Sequence, residues 1–267
     1  MTWEENGALT WSEAQLKELP QYMTTTVALI TSGAANDYNV MAAEWTYLVA
    51  RRPPHLAVCI QEANVTGDLV AESLEFGATL LTDSQTALAD LAGHFSKTEI
   101  TKRTSALFTP APSRFIEPPV IAGGLATFEC RVTRIVPLPG YRLFIGEVLA
   151  AKTDPSQFLR PLIKHGGMYH LGQPTLTSQL AIAADITQGT TGAIVRIGGR
   201  VPHQMVGINH IRIWIDYIES PPDGPFDVPV DSRGYYYHVL EIVSTSHVKA
   251  VRGQVGSESG SALVTPV

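Results

Sequence analysis

Apolar and polar positions along the first two-thirds of the chain change over in short runs, most of them closed by a turn signal. TVALITSG (26–33) has the pattern of a strand, with Ala35-Asn36-Asp37 as its turn, and a second strand starts at Tyr38 and runs through NVMAAEW. HLAVCI (55–60) follows Pro53-Pro54 and is apolar enough for a short strand buried on both faces. Ser12-Glu13-Ala14-Gln15 carries a capping-box pattern that opens a short helix, closed by Pro20. From Thr66 to Phe76 the period changes: Leu69, Val70 and Leu74 share one helical face, with Gly77 as the stop. ATLLT then reads as a strand, and a second helix starts at Ser84, carries Leu88 and Leu91, and ends at Gly93. Strands return at LATFECRVTRIVPL and YRLFIGEVLAAKT, joined by Pro139-Gly140, a hairpin signal.

Gln173-Pro174 marks a boundary, which divides the chain into residues 1–173 and an extension, 174–267. In the extension GAIVRIGGR, INHIRIWIDYI (208–218) and YYYHVLEIVSTSHVKAVR (235–252) are strand patterns. Ile211, Ile213, Ile215 and Tyr217 alternate with Arg212, Trp214 and Asp216, as a half-buried strand requires. Those four apolar side chains need a partner face, for which the first unit or another subunit is the nearest candidate. SPPDGPFDVPVDSRG reads as a loop and GSESGSALVTPV as a mobile tail. Many strands, few short helices and no regular βαβ alternation predict a mainly β fold: a barrel with helical insertions, followed by a β-rich extension.

Composition narrows the function classes. A net charge of −6 and a pI near 5.7 argue against a nucleic-acid partner. The apolar runs span only a few residues and MTWEENG has no signal-peptide pattern, so neither a membrane span nor export is expected. Cys59 and Cys130 both lie in strand patterns and read as buried, reduced thiols, which predicts a cytoplasmic protein. His203, His210, His238 and His247 have no metal-ligand spacing, and no metal is expected.

Four ordered runs carry a resemblance. They are TVALITSG with NVMAAEWTYLVARRPPHLAVCI; IQEANVTGDLVAESLEFG; HFSKTEITKRTSALFTPAPSRFIEPPVI; and the closing set ATFECRV, YRLFIGEV and RPLIKHGGMYHLG. Together they resemble the flavin reductase-like family of FMN-binding split β-barrels over roughly residues 20–172. The resemblance implies FMN as cofactor, NAD(P)H as a candidate reductant, and a homodimer with the flavin near its two-fold axis. It also implies a flavin site around Asn39, Ala43, Glu44, Trp45, Thr46, Asn64, Thr66, Phe95, Ser96 and Gly167, with Tyr141 and Tyr169 as candidate catalytic residues. The chemistry of several of these fits: Asn39, Thr46, Asn64, Thr66 and Ser96 offer small hydroxyl or amide groups, and Asn64-Val65-Thr66 precedes a helix whose dipole favours a phosphate. Thr66 has a second reading as a helix cap, Ser96 as another cap, and Asn39 as a turn residue. His165-Gly166-Gly167-Met168-Tyr169-His170 reads either as a close backbone approach to a ligand or as a tight turn.

Two positions depart from the family pattern. Glu44 stands where a small hydroxyl residue is usual, so its carboxylate must point away from a phosphate or meet a cation, with Arg51 a candidate. Trp45 beside it belongs either in the barrel core or along the isoalloxazine. Tyr141 stands where related reductases carry a histidine; a tyrosine stacks and donates a hydrogen bond but does not titrate near neutral pH. Three functions therefore stand side by side: an FMN-dependent oxidoreductase of the NAD(P)H:flavin reductase type; a flavin-dependent oxygenase or oxidase with an organic substrate under the extension; and a non-catalytic flavin- or ligand-binding protein on the same barrel.

Overall fold

The computed structural model describes residues 12–153, 160–170, 173–174, 179–188, 192–242 and 247–263. A short helix, α1 (Glu13–Glu18), leads into the strands β1 (Ala28–Ala34), β2 (Asp37–Ala43), β3 (Thr46–Arg51) and β4 (Pro54–Gln61). Helix α2 (Val65–Ser73), strand β5 (Glu75–Leu80) and helix α3 (Thr86–His94) follow, then the long hairpin of β6 (Ala126–Leu138) and β7 (Tyr141–Thr153). These strands make one antiparallel sheet in the order β2-β1-β5-β6-β7-β4-β3, the expected split-barrel architecture.

Period-two alternation explains how one sheet supports two cores. Ala28, Ile30, Met41, Val58, Ile60, Phe76 and Phe144 fill the barrel interior. The opposite face of β1 and β2, through Leu29, Tyr38 and Val40, packs on Leu88 and Leu91 of α3. Helix α2 ends earlier than the sequence pattern predicts. Leu74 adopts a left-handed conformation as its C-cap, and Phe76 is fully buried in β5. Gly77 is no helix stop: a Cβ there would collide with the Thr31 hydroxyl, so glycine serves the approach of β5 to β1. The TYLVAR segment, which carries no clear alternation, is the edge strand β3, with Tyr47, Leu48 and Val49 exposed.

A small hairpin, β8 (Ile163–His165) and β9 (Gly167–His170), closes the first unit. Among the described residues the extension is built from β10 (Ala181–Gln188), β11 (Ala193–Arg200), β12 (His210–Tyr217), β13 (Asp223–Pro229), β14 (Tyr235–Ile242), β15 (Val248–Val255) and β16 (Glu258–Leu263). They make two sheets, β10-β11-β14 and β13-β12-β15-β16, that enclose a core of their own.

That sandwich corrects four expectations. Ile211, Ile213, Ile215 and Tyr217 find their partner face in the extension's other sheet, against Ile182, Val195 and Tyr236. The proline-rich loop contains β13, which tolerates Pro225 and Pro229 because it is an edge strand. Six residues of the expected tail form β16, paired along β15 with Ala262 buried; alternating small residues hide such a strand from hydropathy. The single run expected over 235–252 is the two strands β14 and β15, with 243–246 outside the described residues. Strand β10, buried on both faces, was missed because alanine carries little strand signal.

The extension meets the barrel through that strand. Ala181 and Ala183 pack in one cluster with Leu88, Leu91 and Phe95, while Ile182 and Ala184 face the sandwich core. The Thr104 hydroxyl donates to the Ala184 carbonyl (2.7 Å) and accepts from the Ala184 amide (3.1 Å). Asp90 of α3 is ion-paired with Arg200 of β11, and the Ala106 amide donates to the Ser261 carbonyl (3.1 Å).

Candidate functional site

The ends of β2 and β4, the start of α2 and the segment following α3 surround a pocket of about 500 Å³. Asn39, Ala43, Glu44, Trp45, Asn64, Thr66, Phe95, Ser96 and Tyr141 all line it, although they come from four separate stretches of chain. Thr46 is buried beside β4 and does not line it. Gly167 and Tyr169 line a different recess, between α3, the β8–β9 hairpin and the extension. The His170 side chain, Leu171 and Gly172 lie outside the described residues.

At the start of α2 the Asn39 amide donates to the Thr66 hydroxyl at 2.9 Å, and both side chains are buried (5 % and 1 % exposed). The helix-cap reading of Thr66 fails: Asn64 is the N-cap residue, and no side chain caps the helix. The first amides of any helix lack intrahelical acceptors, so this end presents donors and a positive dipole to the pocket. Asp68 in the first turn opposes that field, but Arg142 holds it at 2.7 Å. Arg142 packs over Phe144, and its buried Nε has no hydrogen-bond partner; the buried Thr46 hydroxyl likewise has none. Sequence gave no sign of Arg142, because only the register Arg142↔Ile60 brings it beside α2.

Glu44 does meet a cation, but it is Lys164 at 3.6 Å; Arg51 is exposed. Trp45 is half-buried on the pocket wall, tilted against Tyr141 with ring centroids 5.2 Å apart, so the core reading of Trp45 is set aside. The Tyr141 hydroxyl accepts from the Gln61 side chain at 3.1 Å. Ser96 caps no helix: its amide donates to Glu99 (2.7 Å) and its hydroxyl bonds Thr98 (2.6 Å), shaping the turn after α3.

Two further groups at the pocket wall escaped the sequence reading. Lys102 is 2 % exposed and donates to the carbonyls of Phe95 (2.5 Å) and Ala92 (3.4 Å) at the end of α3. Burial pushes its ammonium down to about 8, with Glu99 acting in the opposite direction. His94 stacks on Tyr235 of the extension, centroids 3.5 Å apart and 9° from parallel. Its pKa lies below the ordinary value, first through burial and then through Arg233. Cys59 also reaches the pocket, with burial raising its thiol pKa. Among the described residues, no three His, Cys, Asp or Glu side chains converge as metal ligands, and no helix is long and apolar enough to cross a membrane.

Comparison with known proteins places this geometry in context. A family model described as flavin reductase like domain matches residues 21–172. An uncharacterized protein of Pyrococcus abyssi is 29% identical over 145 residues, 54% of this chain and 83% of its own. Among solved structures, the NADH:FAD oxidoreductase SgcE6 of Streptomyces globisporus superposes with a TM-score of 0.55 at 19% identity, covering 62% of this chain and 98% of its own. An FMN-binding protein from Thermus thermophilus, solved with bound 1-cyclohex-2-enone, gives a TM-score of 0.54 at 19% identity over 63% of this chain and 96% of its own. At such identities the likeness is one of fold.

Proposed function

Because the chain belongs to the flavin reductase-like family over residues 21–172, we propose that it is an FMN-dependent oxidoreductase whose flavin occupies the barrel pocket, with NAD(P)H as the hydride donor. One observation carries the reading: nine residues that the family resemblance singles out line one pocket, at a helix N-terminus. Its volume of about 500 Å³ falls in the range of cofactor sites.

FMN, when bound, supplies hydride acceptance and onward electron transfer. The chain supplies the rest. Asn64, Thr66 and the first amides of α2 hold the phosphate end, with Asn39 fixing the Thr66 hydroxyl. Lys164 neutralises Glu44, so that carboxylate does not repel the cofactor. Trp45 and Tyr141 present an aromatic wall, with Gln61 orienting the Tyr141 hydroxyl. Residues 1–173 form the flavin unit and 174–267 a second unit docked on α3. We propose further that the flavin unit pairs as a homodimer.

A second reading, oxidation of an organic substrate under the extension, is favoured by one feature: Tyr235 of the extension stacks on His94, which lines the barrel pocket. Tyr169 borders the recess on that side, which suits it to a substrate contact.

The phosphate-end assignment is tested by the double variant Asn64→Ala/Thr66→Ala. FMN binding weakens by about 1–3 kcal/mol, the scale of hydrogen bonds to charged groups. Riboflavin, lacking the phosphate, binds the unaltered protein poorly and loses little more in the variant. Equal losses for the two ligands in a fluorescence titration would overturn the assignment.

A further inference from the structure

The extension also shapes a recess that the flavin reading leaves unused. It measures about 740 Å³ and is bounded by α3 through Asp90, by the β8–β9 hairpin through Lys164 and Tyr169, and by the extension through Arg200, Arg233 and Tyr235. A smaller cavity of about 220 Å³ neighbours both, sharing Glu44 and His94 with the barrel pocket and Lys164 and Tyr235 with the recess. The recess thus lies beside the barrel pocket, with His94, stacked on Tyr235, on the wall of both.

Its chemistry is lopsided. Lys164, Arg200 and Arg233 contribute permanent positive charge, against the single carboxylate of Asp90, which is already ion-paired with Arg200. Lys164 and Arg233 also have carboxylate partners, Glu44 (3.6 Å) and Asp231 (3.6 Å), but neither carboxylate lines the recess. Lys164 and Arg233 therefore face the recess while their counter-charges stand outside it, and the Asp90–Arg200 pair lies within it. Such a surface attracts an anion, and guanidinium groups pair with carboxylates in a planar, two-bonded geometry.

The walls between the cations are aromatic and apolar. The guanidinium carbons of Arg200 and Arg233 lie 5.0 and 5.7 Å from the centre of the Tyr235 ring, which holds both cations beside an aromatic face. Tyr169, Met168 and Val206 add further apolar surface, while Gly166 and Gly167 leave room at the hairpin. We infer that this recess, built by the extension beside the barrel pocket, is a binding site for a small aromatic carboxylate. The inference goes beyond the flavin assignment and does not require it.

Calorimetric titration of the full-length, FMN-loaded protein with benzoate tests it. Benzamide has the ring without the charge, and acetate has the charge without the ring. Benzoate binds about tenfold or more tightly than either, and raising salt to about 0.5 M weakens it, as screened charge pairing requires. Arg233→Gln replaces a largely exposed side chain (71 % exposed) and lowers benzoate affinity about tenfold while FMN affinity stays unchanged. Benzoate binding no tighter than the two controls, or unaltered in Arg233→Gln, overturns the inference. So does displacement of benzoate by ADP-ribose, which would make the recess the site of the nicotinamide cofactor's diphosphate. FMN affinity is measured on the same samples. Benzoate binding without FMN binding defeats only the flavin reading, and the converse defeats only this one.

Discussion

Lys102 offers a quantitative test of the pocket's electrostatics. Its ammonium is held at the end of α3 by the Phe95 and Ala92 carbonyls, in a site so dry that its pKa falls from 10.5 to about 8. At about 1.36 kcal/mol per pKa unit, that difference corresponds to about 3 kcal/mol when the group is fully charged in both states. The sign follows from proton counting. Between about 8 and 10.5 the unfolded chain binds this proton more tightly than the folded chain, so the group's contribution to stability rises with pH. Above 10.5 the penalty is gone; as pH falls through about 8 it reaches its full size and stays constant below. Lys102→Met removes the titration and keeps most of the apolar stem. Urea unfolding of both proteins at several pH values from about 7 to 10 isolates the lysine, because other groups cancel in the difference. The stability of the unaltered protein relative to Lys102→Met should rise by about 1 kcal/mol from pH 7 to 9 and by about 2–3 kcal/mol by pH 10. A difference that is flat or falls with pH would refute the reasoning, and would mean that the ammonium is hydrated in solution.

Two further outcomes are expected. Truncation after Gly172 removes Ala181 and Ala183 from the α3 cluster and leaves Asp90 without Arg200; it should lower solubility and impair turnover more than FMN binding, and a soluble, dimeric truncated chain with unchanged flavin affinity and turnover would make the extension a separate appendage and defeat the reading with an organic substrate under it. The exposed Tyr47, Leu48 and Val49 on the edge strand β3 suit a two-fold contact, so sedimentation at micromolar concentration should show a dimer, and a flavin-loaded monomer would count against it.

Much of the barrel was legible in the sequence, because its signals are local. The alternation of β1 and β2, the apolar run of β4, the Pro139-Gly140 turn and the face of Leu88 and Leu91 each lie within a dozen residues. The extension was half legible for the same reason: Ile211, Ile213 and Ile215 announce β12, whereas β10, β13 and β16 are built from alanine, proline and serine and gain their strand state from neighbours.

The candidate site divides along the same line. Sequence alone determined which residue types stand at the likeness to the family: the hydroxyl and amide groups of Asn39, Asn64 and Thr66, and the departures at Glu44 and Tyr141. Tertiary structure decided what each of them touches. It bonded Thr66 to Asn39, answered Glu44 with Lys164 from a hairpin 120 positions further on, and moved Tyr169 and Gly167 to the recess under the extension. It also buried Lys102 and laid His94 against Tyr235, pairs that no spacing in the chain announces. The physical reason is that strand and helix periods are set by the backbone, residue by residue. The partner of a charge or a ring is set by sheet register and packing, which depend on the whole chain at once.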